Sequence, residues 1–333
     1  MGSSVHKAAV IGDGAMGTVC ALLLAEKGLE VALWGAAKGH VATLQRERVN
    51  QRYLPGYPFP EHLTVMAHDG TVFNGVELIV SAVPCQFMRS VWTRLRDVAP
   101  RDVPIVSVAK GLEVTTLLRP TQILIDCLGA VPVACLSGPT IGPEVAARKP
   151  ASVVVASHDS EVALRVQQTF ATPYLRVYTS DDLLGVEIAG AVKNVIALAA
   201  GICDGMGAGD NAKASLVTRG LVEITRLGVA LGARAETFRG LAGVGDLVTT
   251  CISRIGRNRS AGERIGRGEL VEHVLATTPS VIEGIPTTRS VMALARQHGV
   301  EMPIVAAIAS VLFDGTRPAE AIEKLMTRQL RSE

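Results

Sequence analysis

Aromatic side chains are scarce in this sequence: Phe, Trp and Tyr together make up 4% of 333 residues. The formal net charge is only +2. Stacking platforms and a basic surface are therefore both missing, which disfavours nucleic-acid binding. There are six cysteines but no CxxC pair, so neither a zinc site nor a disulfide framework is expected. Most of the cysteines sit in apolar runs and read as small core residues in a reducing cytoplasm. No uninterrupted apolar run approaches the ~20 residues of a membrane span, because Lys193 and Asn194 break the best candidate. A signal-peptide pattern is also lacking, since Lys7 is followed almost at once by a strand-like run.

What is present is length and pattern. A chain of 333 residues exceeds what one hydrophobic core usually accommodates, so two domains are expected. Short β-branched runs alternate with helical patterns up to about residue 180: "AAVIG" (8–12), "EVALW" (30–34), "LTVMA" (63–67), "ELIVSAV" (77–83), "PIVSVA" (104–109), "PVACLS" (132–137) and "ASVVVAS" (151–157). Several are hydrophobic almost throughout, as strands covered on both faces are. The reading is an α/β fold, with a doubly wound domain over residues 1–181. From residue 182 to 333 the strand signature stops. Helical stretches follow at 182–203, 211–231, 235–242, 258–267, 287–298, 303–313 and 318–330, giving an all-helical second domain.

The first turn, "GDGAMG", places Gly12, Gly14 and Gly17 between a strand and a helical run. In that setting the glycines admit backbone N–H groups to a pyrophosphate at a positive helix end. The bare alternative is a tight turn with no ligand. An acidic residue that would hold a ribose hydroxyl is absent from the end of the second strand, "LWGAAKGH". Arginine is absent there too, while Lys38 and His40 lie within reach of a 2′-phosphate, so cofactor preference stays open. Unusual residues recur at strand ends, where ligands of open α/β sheets sit. Lys110 follows the fifth strand directly, aimed at the crevice or simply solvated. Gly138 and Thr140 in "SGPT" offer donors, or mark only a turn.

In the second half, "GVEIAGAVKNVIALAAG" (185–201) sets Lys193 inside an apolar helix whose own neighbours cannot neutralise it. That ammonium must reach solvent, find a partner elsewhere, or titrate at lower pH than usual. "GVGDLVTTCISRIGRNRS" (243–260) places Asp246 in a glycine-rich stretch and Arg257-Asn258 at a helix start, a receptor suited to phosphate. The other arginines nearby read as a solvated face. Glu283 stands in the loop "PSVIEGIPTT" (279–288).

Taken in order, "GDGAMGT", "NQRYLPGYPFP", "VPCQ", "AKGLE", "SGPTIGPEVA", "GAVKNVIALAAGICDGMGAGDNAKASLVTRGLVE", "GVGDLVTTC", "GRNR", "EGIPTT" and "MPI" resemble the bacterial NAD(P)⁺-dependent glycerol-3-phosphate dehydrogenase family along nearly the whole chain. The resemblance implies a Rossmann-like N-terminal domain, a helical C-terminal domain and a homodimer. It also implies NAD(P)H as cofactor and reduction of dihydroxyacetone phosphate to sn-glycerol 3-phosphate, the backbone precursor of glycerophospholipids. Lys193 matches the catalytic lysine, the proton donor in ketone reduction. Lys110 matches a lysine touching cofactor and substrate, and Gly138, Thr140, Asp246, Gly256, Arg257 and Asn258 fall in the substrate shell. Ala15, Met16, Gly142, Val281 and Glu283 fall at cofactor positions, with Arg257 near the cofactor as well.

This chain departs from the family pattern at several of those places. Ala15-Met16 replace a serine and an aromatic, Ile141-Gly142 a phenylalanine and an alanine, and Cys85 and Gly256 each replace serine. The expected mechanism has Lys193 protonating the developing alkoxide, with a depressed pKa brought about by burial and nearby cations. Asn194 is expected to orient the lysine or a substrate hydroxyl, and Asp246 to temper the charge or bind hydroxyls. Two rivals are a related hydroxy-acid or ketopantoate-type dehydrogenase and a non-catalytic dinucleotide sensor.

Overall fold

A computed structural model describes residues 5–329. The chain forms two compact units. One comprises the chain up to Lys110 together with Leu118–Glu187; the other comprises Gly111–Leu117 together with the chain from Ile188 onward.

Among its described residues the first unit has ten strands: β1 (Lys7–Ile11), β2 (Glu30–Trp34), β3 (Val49–Asn50), β4 (Leu54–Pro58), β5 (Leu63–Met66), β6 (Leu78–Ser81), β7 (Ile105–Ser107), β8 (Val133–Ser137), β9 (Ala151–Ala156) and β10 (Leu175–Ser180). Eight form one sheet in the order β10-β9-β8-β7-β6-β1-β2-β5, while β3 and β4 make a separate antiparallel pair. Strand alternation divides the side chains between two cores. Ala8, Val10, Val31, Leu33, Leu78 and Val80 enter one, and Ala9, Ile11, Ala32, Trp34 and Ile79 the other. Burial on both faces explains why these runs read as continuously hydrophobic. All six cysteines are buried and none forms a disulfide.

The order reverses between β1 and β6, the switch point at whose carboxyl edge open α/β sheets bind ligands. The turns after β1, β6, β7 and β8 all lie on that edge, because these strands are mutually parallel. Within the eight-stranded sheet one pair departs from the parallel expectation: β8 and β9 are antiparallel. Their connection holds only the short helix Gly142–Ala146, and the chain re-enters the sheet from the edge it left. A full-length crossover, the helix Ser160–Phe170, then makes β10 parallel to β9.

Among its described residues the second unit contains no strand. Its centre is the helix Leu183–Met206, which begins in the first unit. By length and composition this helix could cross a membrane, but 94% of its most apolar window is buried inside the protein. Glycines four apart bring it against the helix Arg257–Gly266. A Cβ at Gly201 or Gly205 would lie 2.0 or 2.2 Å from the carbonyl oxygens of Arg259 or Glu263. Likewise, a Cβ at Gly262 or Gly266 would lie 2.1 or 2.4 Å from those of Leu198 or Ile202. Only bare backbone permits such an approach, and it fixes the start of Arg257–Gly266 beside the middle of the long helix.

A buried carboxylate anchors another helix. Glu223, 3% exposed, accepts hydrogen bonds from the N–H groups of Ile304 (2.7 Å) and Val305 (3.2 Å), in the first turn of Pro303–Phe313. Burial pushes the Glu223 carboxyl from its ordinary 4.5 up to about 7, against the opposing pull of those two donors. The folded state therefore holds this proton more tightly than the unfolded chain. The associated stability is fully present below about pH 4.5 and lost as pH rises through about 7. That window corresponds to on the order of 3 kcal/mol. Urea unfolding at several pH values should show the wild type losing about that much more stability than Glu223→Gln. Parallel pH profiles for the two proteins would refute this assignment.

Candidate functional site

In the first unit the site begins at the glycine turn after β1. Gly12 has φ +115°, and a Cβ there would lie 2.8 Å from the carbonyl oxygen of Ala82. At Gly17 a Cβ would lie 1.8 Å from the carbonyl oxygen of Gly12, so this residue lets the helix Ala15–Glu26 close onto the turn. Gly14 differs: nothing stands within 4 Å of its Cβ position. Gly14 is also the N-cap of that helix, makes no side-chain cap, and is followed by no acidic residue in the first turn. The helix thus presents uncapped N–H groups to an open space over a bare backbone, which is what a pyrophosphate requires. On these grounds the turn fits a dinucleotide.

Ala15 and Met16 begin the same helix, and Met16 packs on the core below. Asn50, fully buried, ties the turn down by donating to the carbonyl oxygen of Asp13 (2.9 Å) and to Thr18 Oγ1 (2.8 Å). Lys38 stands exposed as the first residue of the helix Lys38–Glu47.

Further along the same sheet edge, two expected residues share a third as acceptor. The carbonyl oxygen of Gly138 accepts hydrogen bonds from Lys110 Nζ (2.9 Å) and Thr140 Oγ1 (3.1 Å). Gly138 is at φ +134°, with a Cβ position 3.0 Å from the Val153 Cα. Its carbonyl oxygen is the acceptor for both side chains. At Gly142 a methyl group would meet Val19 at an ordinary 3.5 Å, so the glycine is not required there by space.

In the second unit the apolar helix resolves its own puzzle. Lys193 and Asp246 are 7% and 2% exposed. Lys193 Nζ donates to Asp246 Oδ1 at 2.7 Å, across 53 residues of sequence. Of the three possibilities left open by the sequence, the ammonium finds a partner elsewhere. Asp246 opens the helix Asp246–Ile252, directly after a wide turn in which Gly245 N–H bonds to the Gly240 carbonyl oxygen at 3.2 Å.

Beside this pair runs an amide chain. Asn258 Nδ2 donates to Asn194 Oδ1 (2.9 Å), and Asn258 Oδ1 accepts the Gly284 N–H (2.9 Å). Asn194 is held by Asn258, which joins the long helix to the starts of Arg257–Gly266 and Gly284–Gln297. Gly256 is the N-cap of Arg257–Gly266 and offers no side-chain cap. Arg257 is exposed, and its Nη1 donates to the carbonyl oxygen of the half-buried Val281 at 3.2 Å. Glu283 is buried and lies within electrostatic range of Arg257.

The other arginines of this stretch are largely committed. Buried Arg259 pairs with Asp204 (2.6 Å) and Glu263 (3.0 Å), while Arg264 pairs with Glu269 and Arg267 with Glu263. Lys213 completes the group at 2.8 Å from Asp204. Burial raises the Asp204 carboxyl, but Lys213 and Arg259 outweigh it and hold the group below its ordinary value. This network braces the helix that carries Asn258. Sequence reasoning missed it, although Asp204 and Lys213 both lie within a quoted motif. Their spacing gives no hint that Arg259 is the shared partner.

Two family models cover most of the chain. The N-terminal model of NAD-dependent glycerol-3-phosphate dehydrogenase matches residues 7–163, and the C-terminal model matches residues 182–323. A glycerol-3-phosphate dehydrogenase [NAD(P)+] from Chlorobium limicola is 46% identical over 328 residues, covering 98% of each chain. The crystal structure of a glycerol-3-phosphate dehydrogenase from Coxiella burnetii superposes with a TM-score of 0.94 at 39% identity, over 97% of this chain and 99% of that one. A ketopantoate reductase from Ralstonia eutropha, at 18% identity and a TM-score of 0.59, shares the fold alone. The chain belongs to the NAD-dependent glycerol-3-phosphate dehydrogenase family.

Proposed function

We propose that this chain reduces dihydroxyacetone phosphate to sn-glycerol 3-phosphate with NAD(P)H, the product supplying glycerophospholipid synthesis. The observation that carries this reading is the buried Lys193–Asp246 pair, set in a chain whose relatives are dehydrogenases of this kind. Residues 1–181 form the dinucleotide-binding part and residues 182–333 the substrate-binding and catalytic part. Gly12, Gly14, Ala15, Met16 and Gly17 would hold the pyrophosphate region, with Lys38, Gly142, Val281 and Glu283 as further cofactor contacts. The bound nicotinamide supplies the hydride.

The chain's own residues supply the remainder. Lys193 is a proton donor on a largely apolar helix, with its buried charge paired to Asp246. Negative charge developing on a carbonyl oxygen is stabilised by the ammonium before the proton moves. Asp246 fixes where that proton points. Asn194, held by Asn258, keeps the adjacent stretch of helix in register. Arg257, Gly256 and the uncapped N–H groups beginning Arg257–Gly266 form an anion receptor that fits the substrate phosphate. Phosphate binding then orients the carbonyl. Lys110, Gly138 and Thr140 are the contacts contributed from the sheet edge. A homodimer in a reducing cytoplasm completes the proposal.

Lys193→Ala should lower kcat by about a hundred- to ten-thousand-fold while leaving NADH binding largely intact. Near-wild-type kcat would remove Lys193 from the mechanism. Steady-state kinetics of Arg257→Ala should show KM rising for dihydroxyacetone phosphate far more than for the dinucleotide. Equal rises in both would mean that the phosphate sits elsewhere.

A further inference from the structure

The acid that usually receives the adenosine ribose 2′-hydroxyl projects from the end of the second strand, about 20 residues beyond the glycine turn. Here β2 ends at Trp34 and is followed by Gly35-Ala36-Ala37, and the place is filled from the glycine turn. Asp13, the residue between the first two turn glycines, lays its Oδ2 only 2.2 Å from where a Gly35 Cβ would stand. Any side chain at position 35 would expel this carboxylate, so Gly35 and Asp13 go together. The Asp13 main chain is pinned by Asn50, and the Gly12 N–H bonds to the Trp34 carbonyl oxygen at 2.9 Å, which locks the turn to the end of β2.

The side chain, by contrast, is left wanting. Asp13 Oδ2 and His40 Nε2 face each other at 3.9 Å, within ion-pair range but too far for a hydrogen bond, and neither buried atom has a hydrogen-bond partner. Burial raises the Asp13 carboxyl, with His40 and Arg52 pulling the other way. The side chain as a whole retains 19% of its surface, while its Oδ2 is buried. A buried polar atom with no partner inside a ligand-shaped turn is a demand for a donor.

We propose that Asp13 reads the 2′ position of the adenosine ribose, its carboxylate accepting from the 2′-hydroxyl of NADH and repelling the 2′-phosphate of NADPH. This rests on the reading of the first unit as dinucleotide-binding. It differs from a site in which Lys38 and His40 capture a 2′-phosphate, and the two make opposite predictions.

Fluorescence titration of the substrate-free protein with NADH and with NADPH gives both Kd values directly. The wild type should bind NADH at least ten-fold more tightly. The isosteric Asp13→Asn, checked by thermal unfolding, should narrow that ratio at least five-fold, mainly through tighter NADPH binding. Without any variant, 5′-AMP should displace NADH at least ten-fold better than adenosine 2′,5′-bisphosphate does. A wild-type preference for NADPH, or an unchanged ratio in Asp13→Asn, overturns the assignment of Asp13 alone. Failure to bind either dinucleotide overturns the dinucleotide reading along with it.

Discussion

One buried ion pair organises the second unit. An ammonium on an apolar helix is tolerable only with a counter-charge, and removing one member of such a pair leaves an uncompensated charge that costs about 3–5 kcal/mol. Lys193 therefore constrains the chain to bring Asp246 to it, and the wide turn ending at Gly245 is the local device that does so. The same helix carries two other polar residues in its interior stretch, and each has comparable work. Glu187 accepts from the N–H of Thr121 (2.9 Å) and from its hydroxyl (2.7 Å), and it pairs with Arg119 at the start of Pro120–Leu128. Asn194 receives Asn258. Every interruption of the apolar pattern is a tether to a distant segment.

This constraint links packing to chemistry. The four glycines that press the long helix against Arg257–Gly266 determine where Asn258 and the uncapped helix start lie relative to Lys193. The network of Asp204, Lys213 and Arg259 ties that second helix to the end of the long helix. Groups arranged in this way keep their geometry without substrate, which is the preorganisation that electrostatic catalysis depends on.

Much of this was legible in the sequence. The Gly12–Gly17 turn, the strands on either side of the switch point and the long apolar helix follow from patterns that are local. Strand β10 escaped notice because Arg176, Tyr178 and Thr179 are exposed, so its apolar content is diluted at the sheet edge. Nor did the reading anticipate the β3–β4 pair, two and five residues long, or the antiparallel β8–β9 pair, which depends on how a connection returns. The helices Asp246–Ile252 and Val271–Thr277, each seven residues, are too short to show a period. At the site, the residue types were readable but their partners were not. Nothing in the local sequence says that Lys193 meets Asp246, or that Asp13 stands in for an acid missing from β2.

The central claim is that the Lys193 amine delivers the proton. Chemical rescue tests it most directly: small primary amines are added to purified Lys193→Ala and dihydroxyacetone phosphate reduction is followed through NADH consumption. The account predicts saturable recovery with methylammonium and none with tetramethylammonium, which matches the charge but has no proton to give. Equal recovery with both cations, or turnover indifferent to either, would contradict it.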